Sequence, residues 1–529
     1  MMSRIRHFFK LYPLPILSGV LVGTSFIPFP PWALVFCYVP LWFFALKKAK
    51  TLKQIFWGGW WTQFTLTLIG FHWIAFTAHE FGFFPWPFAI LTLLAFASLM
   101  HLYIPFGLVL GSWLSQRLEL KAGASALVFA GILTLGEMFW PSIFVWNLGY
   151  PLLWAHSPLA QWADVLGFQG LSFVVYLANA WIFWLLLKKD RAKSLISVGV
   201  AVCLLAILYF GGLRRLEIWK TRDSELKTLV IQANIGNQEK YMAEKGAGFQ
   251  QFITDEFFDL TRKGLEAHPD SDLVVWPESA FPDFLDNFAA SRVYPAQFRK
   301  FSQSINKPIL VGAFSKDSPE IKKRNDYNGL FLFDNKGQIL GEPYHKTELL
   351  IFGETIPLVE TFPILAKYNP GGAGFGRGQG PMLLTLGSGP STVKIGGEIC
   401  YESLDPQFSA KLSKLGADIL VNVTNDSWFS WGPNFEPNQN GFMSLARAIE
   451  VRRPMVRSTN TGISSAILAD GTLLEQSPVG VKWFGQQSIQ FRKNAPTTFF
   501  AEFGSWLWLL IFVFLVLVLT LGKNRAQKS

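Results

Sequence analysis

Charge is what this sequence has least of. Only 16% of its 529 residues are Asp, Glu, Lys or Arg, against about 25% in a soluble globular domain, and the deficit falls in long uncharged stretches. With 50% hydrophobic residues, 50 Phe and 21 Trp, a disordered chain and a purely soluble one are both excluded, and membrane composition is left. Cysteine is scarcer still, at three, and histidine numbers seven. Cys37 and Cys203 fall in apolar stretches and Cys400 stands alone in the polar part, so no disulfide framework is possible. No His/Cys spacing suits a metal, and neither metal nor other cofactor is expected.

The charges present are unevenly placed. Residues 1–212 and 503–529 hold 16 of the 47 Lys and Arg but 5 of the 37 acids, which leaves 31 basic and 32 acidic residues in 213–502. The net charge of +10 is therefore membrane-flanking, and a nucleic-acid partner is excluded.

Hydrocarbon about 30 Å thick is crossed by roughly 20 apolar helical residues. Eight stretches reach or approach that length, near 11–27, 32–46, 55–78, 86–114, 122–140, 165–187, 194–212 and 503–522. Pro28-Phe29-Pro30-Pro31 between the first two also fits a re-entrant hairpin. Basic clusters at 4–10, 47–53, 117–121, 188–193 and 523–528 occupy alternate connections, while 28–31, 79–85 and 141–164 carry no Lys or Arg. Both termini are thus expected in the cytoplasm and 213–502 on the opposite side. No small-x-small cleavage site follows the first apolar segment, so it is read as retained membrane structure. His72, His79, His101, His156, Glu80 and Glu137 lie in or near the spans; their alternatives are contact with substrate or hydrogen bonding between helices.

From 213 the pattern changes to short apolar runs alternating with amphipathic helices. Strands are expected at 227–235, 272–276, 307–313, 393–400, 417–423 and 455–460, helices at 249–266, 289–305, 406–415 and 439–453, and hairpins turning at 334–337 and 470–471. That order implies a layered α/β domain large enough to build its own core. The expected organisation is a membrane domain of about seven spans (1–212), an extracytoplasmic α/β domain (213–502) and a last span with a cytoplasmic tail (503–529).

On composition Cys400 is either a buried small hydrophobe or a reactive nucleophile. Its place at the end of an apolar strand, before Tyr401, Glu402 and Ser403, puts the sulfur where α/β sheets gather their sites. Glu278 follows a strand and Pro277, and Lys346 follows a hairpin. An acid, a cation and a thiol at element ends are the parts of acyl transfer through a thioester.

WPES (276–279), YHKTELLIFGE (344–354) and EICYE (398–402) resemble the three signatures of the nitrilase superfamily. Together with the spans, NDSWFSWGP (425–433) and MSLARAIEVRRPMVRSTNTG (443–462), they make essentially all 529 residues similar to the bacterial apolipoprotein N-acyltransferases. The resemblance implies an αββα nitrilase-like sandwich with Glu278, Lys346 and Cys400 as catalytic triad, supported by Glu354, Tyr401 and Glu402. It implies a monomer in the bacterial inner membrane, its catalytic domain in the periplasm. The acyl chain would pass from a membrane phospholipid through Cys400 to the N-terminal amine of a diacylglyceryl-cysteine apolipoprotein. Glu278 would act as base, and Lys346 would stabilise thiolate and oxyanion. Two departures stand out: Tyr241 occupies a substrate-contacting position where the family has Trp, and 434–440 forms a longer loop without the family's His. The Gly-rich run 370–381 precedes a strand and lacks the Gly-Lys-Ser/Thr ending of a phosphate loop, so it reads as a tight-turning or mobile loop. Two other readings compete: a membrane-tethered nitrilase-type amide hydrolase, for which one span would suffice as tether, and a transporter or receptor in which Cys400 is structural.

Overall fold

The computed structural model describes residues 11–526 except 81, 245–247, 318–325, 352, 357, 360, 363, 365–373 and 430–434. The chain divides into two compact units, one comprising Met1–His79, Phe83–Arg215 and Phe503–Ser529, the other Glu80–Gly82 and Leu216–Glu502.

Five helical stretches among the described residues, lying wholly or mostly in the first unit, are long and apolar enough to cross a membrane: Trp86–Arg117, Ala122–Phe139, Pro158–Leu187, Arg191–Ile218 and Phe499–Lys523. The two expected spans nearest the N-terminus fall short. The first holds only the 11-residue helix Pro13–Gly23, about 17 Å long at 1.5 Å per residue. The second turns irregularly before Val39–Phe43 and the π-helical Phe44–Lys48. Pro28, Pro30 and Pro31 withhold the donors a helix needs, and side chains take over the orphaned backbone groups. Asn179 donates to Leu34 O at 3.0 Å and accepts from Tyr38 N at 2.8 Å, while Ser18 donates to Cys37 O at 2.5 Å.

Two further spans are interrupted. Helix Leu52–Gly70 stops where Gly70 meets the Trp146 ring, and a separate helix Ile74–Glu80 follows. The stretch from 86 breaks at His101 into Trp86–Leu99 and Tyr103–Arg117. His101 Nδ1 lies 2.8 Å from Thr67 Oγ1, and Glu137 accepts from Ser172 Oγ at 2.5 Å and Leu148 N at 3.3 Å. Both therefore serve as bonds between segments.

The second unit is an αββα sandwich. Its strands, in chain order, are β1 (Ser224–Gln232), β2 (Leu273–Val275), β3 (Phe281–Phe284), β4 (Ile309–Lys316), β5 (Asp326–Phe333) and β6 (Tyr344–His345). They continue with β7 (Leu383–Leu386), β8 (Val393–Ile399), β9 (Ile419–Thr424), β10 (Met455–Thr459), β11 (Ser465–Ile467) and β12 (Trp483–Phe491). One sheet runs β12-β1-β2-β4-β5-β6, with β3 beside β4, and the other runs β11-β10-β9-β8-β7. Parallel strands β1, β2 and β4 form the middle of the first, and parallel β8, β9 and β10 that of the second.

Helices Gln250–Ala267 and Val293–Ile305 cover the first sheet through Ile253, Phe257, Phe258, Phe298 and Phe301. At the centre of this core Trp276 stacks on Phe257 at 4.8 Å and donates to Thr261 Oγ1 at 2.9 Å, which fixes the chain two residues before Glu278. Helices Pro406–Lys414 and Glu436–Val451 cover the second sheet. Asp405 starts the former by accepting from Gln407 N at 2.9 Å and Phe408 N at 3.1 Å. Two adjacent glycines let β8 lie between layers: a Cβ on Gly396 would come within 2.8 Å of Leu420 and 3.2 Å of Leu412, and one on Gly397 within 2.8 Å of Leu330 in the facing sheet.

Helix Glu436–Val451 begins earlier than expected. Residues 436–440 of the stretch 434–440 are therefore helix, with Pro437 in the first turn, where its missing N–H is harmless. Strands β3 and β12 were not anticipated. β12 is rich in Gln and Ser, yet it pairs antiparallel with β1 from Ser224↔Phe491 to Gln232↔Trp483.

Gly312 in β4 is required by a backbone passing close by. A Cβ there would lie 2.5 Å from Pro277 O and 2.7 Å from Glu278 Cα. Gly312→Ala is expected to destabilise the unit by about 1–3 kcal/mol through forced backbone displacement, measured as a lowered melting temperature.

Candidate functional site

The C-terminal ends of the parallel strands converge, and each delivers one part of a polar cluster. β2 leads through Pro277 to Glu278, β8 to Cys400, β9 to Asn425, and the edge strand β6 to Lys346. Glu278, Lys346 and Glu354 are all buried, and Cys400 is half-buried. Lys346 Nζ lies 3.1 Å from Glu278 Oε1 and 2.8 Å from Glu354 Oε2, so one ammonium is shared by two carboxylates. Asn328 in β5 donates to Glu278 at 2.6 Å and to Glu354 at 3.3 Å. The Asn425 N–H donates to Glu278 Oε2 at 2.8 Å, and that of Leu350 to Glu354 Oε2 at 2.9 Å.

Burial alone would raise the Glu278 carboxyl. Lys346 outweighs it, with help from Asn425 and Asn328, and holds Glu278 below the usual carboxylate range. Burial would likewise lower Lys346, but Glu278, Glu354 and Cys400 hold it well above its ordinary value. Cys400 goes the other way: burial first, then the Glu278 charge, push its thiol up, with Lys346 opposing, Glu354 adding, and a hydrogen bond to the Thr424 hydroxyl lowering it slightly. At neutral pH the cluster therefore holds an ionised Glu278 carboxylate and a protonated Cys400 thiol. The backbone at Cys400 is left-handed, φ 53°, as is that of Ser279 after Glu278, φ 47°. Such conformations in non-glycine residues cost of order 1–3 kcal/mol and persist where surrounding structure enforces them.

The supporting residues differ in what they do. Glu354 belongs to the charged cluster. Glu402, fully buried, accepts from Tyr344 Oη at 2.5 Å, Thr347 N at 2.6 Å, Glu348 N at 3.1 Å and Ile399 N at 2.7 Å. It braces the loop after Lys346 against the turn at Cys400, and burial pushes it up to about 7 despite those donors. Tyr401 lies beside Glu348 and Asp405; burial, then their charges, push its hydroxyl up to about 12. Tyr241 sits on helix Asn237–Glu244, and its side chain is outside those described. Its neighbour Lys240, buried, donates to the Glu278 carbonyl at 3.2 Å. Of the Gly-rich run, 374–380 is tied beside the cluster, Gly376 N to Asp326 O and Gly378 N to Lys346 O, each at 2.8 Å; 365–373 lie outside the described residues.

Asn328, Asn425, Thr424 and Lys240 were not singled out from the sequence. An isolated Asn in the apolar run of β5 and the Thr-Asn-Asp following β9 were the available signals. Among the described residues no His/Cys/Asp/Glu group is arranged to hold a metal ion.

Residues 18–181 match the family model described as "Apolipoprotein N-acyltransferase N-terminal domain", and 225–489 the model described as "Carbon-nitrogen hydrolase". An apolipoprotein N-acyltransferase of Bdellovibrio bacteriovorus is 48% identical over 514 residues, covering 96% of this chain and 93% of that protein. One of Geobacter metallireducens is 30% identical over 482 residues, covering 88% and 87%. Among solved structures, an amidase from Nesterenkonia sp. is 16% identical with a TM-score of 0.37, covering 54% of this chain and 96% of its own.

Buried Glu398, two residues before Cys400, generates a pH-dependent expectation. Its Oε1 accepts from Ser409 Oγ at 2.5 Å, and its Oε2 has no hydrogen-bond partner among the described residues. Burial pushes the carboxyl up to about 8. The folded protein thus keeps a proton that the unfolded chain, near 4.3, releases, so stability falls as pH rises between those values. Glu398→Gln is expected to melt with wild type at pH 4 and at least about 2 °C above it at pH 8, measured by thermal unfolding across pH.

Proposed function

Because this chain belongs to the apolipoprotein N-acyltransferase family, we propose that Cys400 carries the acyl group as a thioester between a phospholipid donor and an apolipoprotein acceptor. The observation that supports this most directly is the Lys346 ammonium held between Glu278 and Glu354 beside the Cys400 turn. In the first half-reaction Glu278 takes the thiol proton as sulfur attacks the ester carbonyl carbon. The negative charge that builds on the carbonyl oxygen is met by Lys346. Collapse breaks the ester C–O bond, and the leaving lysophospholipid oxygen takes the proton back from Glu278.

In the second half-reaction the neutral α-amine of an S-diacylglyceryl-cysteine attacks the thioester carbonyl. Glu278 accepts the ammonium proton, the C–S bond breaks, and the thiolate is reprotonated as the amide forms. The cluster charge is the same before and after each half, so no net charge is stranded in the buried site. All these groups come from one chain, consistent with action as a monomer. The basic clusters flanking the spans support a multi-pass arrangement in a bacterial inner membrane, both termini cytoplasmic and the α/β unit periplasmic. A fluorescent reporter fused at the C-terminus is expected to mature and fluoresce, and an oxidation-dependent reporter fused there to stay inactive.

Intact-protein mass spectrometry after incubation with phospholipid alone tests the mechanism. A fatty-acyl increment is expected in wild type, absent in Cys400→Ala, and discharged by a diacylated lipopeptide amine. Glu278→Gln and Lys346→Met should each lower the rate of increment formation by about 10³-fold or more. Loss of the increment to water at the rate seen with lipopeptide would make the enzyme a hydrolase, and no increment in wild type would remove the thioester.

A further inference from the structure

We propose that Arg457 is the positioning residue that holds the Cys400 turn, through three hydrogen-bonded chains that converge on this one residue. Arg457 lies in β10 opposite Asn422 of β9 and is fully buried. In the first chain its Nη1 donates to Asn422 Oδ1 at 2.5 Å, and Asn422 Nδ2 donates to the Cys400 carbonyl at 3.2 Å. In the second, Nη1 donates to Ser444 Oγ at 3.0 Å on helix Glu436–Val451. The Ser403 hydroxyl lies 2.8 Å from Ser444 Oγ and 3.0 Å from the same Cys400 carbonyl. In the third, Nη2 meets both carboxylate oxygens of Asp426, at 3.1 and 3.0 Å, and Asp426 accepts from Thr424 Oγ1 at 3.0 Å. The Thr424 hydroxyl, its proton given to Asp426, also lies against the Cys400 sulfur.

Geometry gives this arrangement its consequence. Cys400 is left-handed, a conformation its own side chain disfavours, and relaxing it would swing the carbonyl and the sulfur together. The Asn422 chain pins the carbonyl, the Ser403 hydroxyl holds it when its one proton is not given to Ser444, and the third chain steadies the sulfur. One planar guanidinium serves all three because its N–H groups point along fixed directions in a plane. A lysine at the same place would keep the charge but satisfy at most part of the set. None of the residues in these chains reaches the acyl carbon in the proposed reaction, so their action is on the nucleophile's position. The inference rests on Cys400 being the nucleophile.

The test uses full-length protein in detergent micelles and two readouts. The first is the iodoacetamide alkylation rate of Cys400, read peptide by peptide so that Cys37 and Cys203 are separated, and it needs no lipid substrate. The second is acyl transfer with kcat and KM resolved. Arg457→Lys and Asn422→Ala are each expected to slow alkylation and lower kcat by about tenfold, with KM for phospholipid unchanged. The double variant should lose less than the product of the two single losses, because the Asn422 chain is common to both changes. Wild-type alkylation and kcat in Asn422→Ala would overturn the proposal. So would a loss confined to KM, or losses that multiply in the double variant. Should Arg457→Lys fail to fold, Asn422→Ala carries the test, since it leaves the Arg457–Asp426 pair in place. Slowed alkylation in a protein that forms no acyl-enzyme would support the positioning role while overturning the thioester reading.

Discussion

One ammonium shared between two buried carboxylates is the interaction on which the site depends. Taking three charges out of water is expensive, and it is tolerated only because each is met by an opposite charge and by fixed donors. Lys346 has Glu278 and Glu354; Glu278 has in addition Asn328 and the Asn425 N–H. Removal of Lys346 would leave both carboxylates without an opposite charge. The same balance explains why the thiol stays protonated at rest. Burial first, and then two negative charges against one positive, make a third anion at Cys400 unfavourable.

The fold makes that cluster possible by stacking two sheets whose parallel strands end side by side. Apart from the Lys346–Glu354 pair and its Leu350 donor, which come from one segment, its contacts are made across elements distant in sequence. The close approach has its own requirements. Gly312 lets β4 pass behind the Glu278 turn, and Gly396 with Gly397 lets β8 run between a helix layer and the facing sheet. Glu402, with four donors and no exposure, closes the gap between the Lys346 loop and the Cys400 turn.

How much was legible in the sequence divides along physical lines. Glu278, Lys346 and Cys400 were legible as candidates because their chemistry is carried by residue type and by position at an element end, and Glu354 only through the family resemblance. Asn425 acts on Glu278 through its backbone N–H, which no side-chain motif reports. Asn328 and Lys240 matter through tertiary register, which a local pattern does not contain. In the membrane unit, apolar length overstated the first two segments, because hydropathy counts side chains while prolines at 28, 30 and 31 remove backbone donors. β12 was missed for the converse reason: Gln486, Gln487 and Ser488 suggest an exposed loop, yet Gln487 is buried and donates to Glu475 O at 3.1 Å.

That last strand changes how the chain's construction is understood. β1 opens the α/β unit and β12 comes near its end, and the two lie in register over their whole length, Ser224 beside Phe491. The polypeptide therefore arrives and departs at the same edge of one sheet, a few ångströms apart. A unit built this way behaves as a cassette: it can be spliced between two helices of another architecture without stretching either, and its own hydrogen-bonded seam closes it.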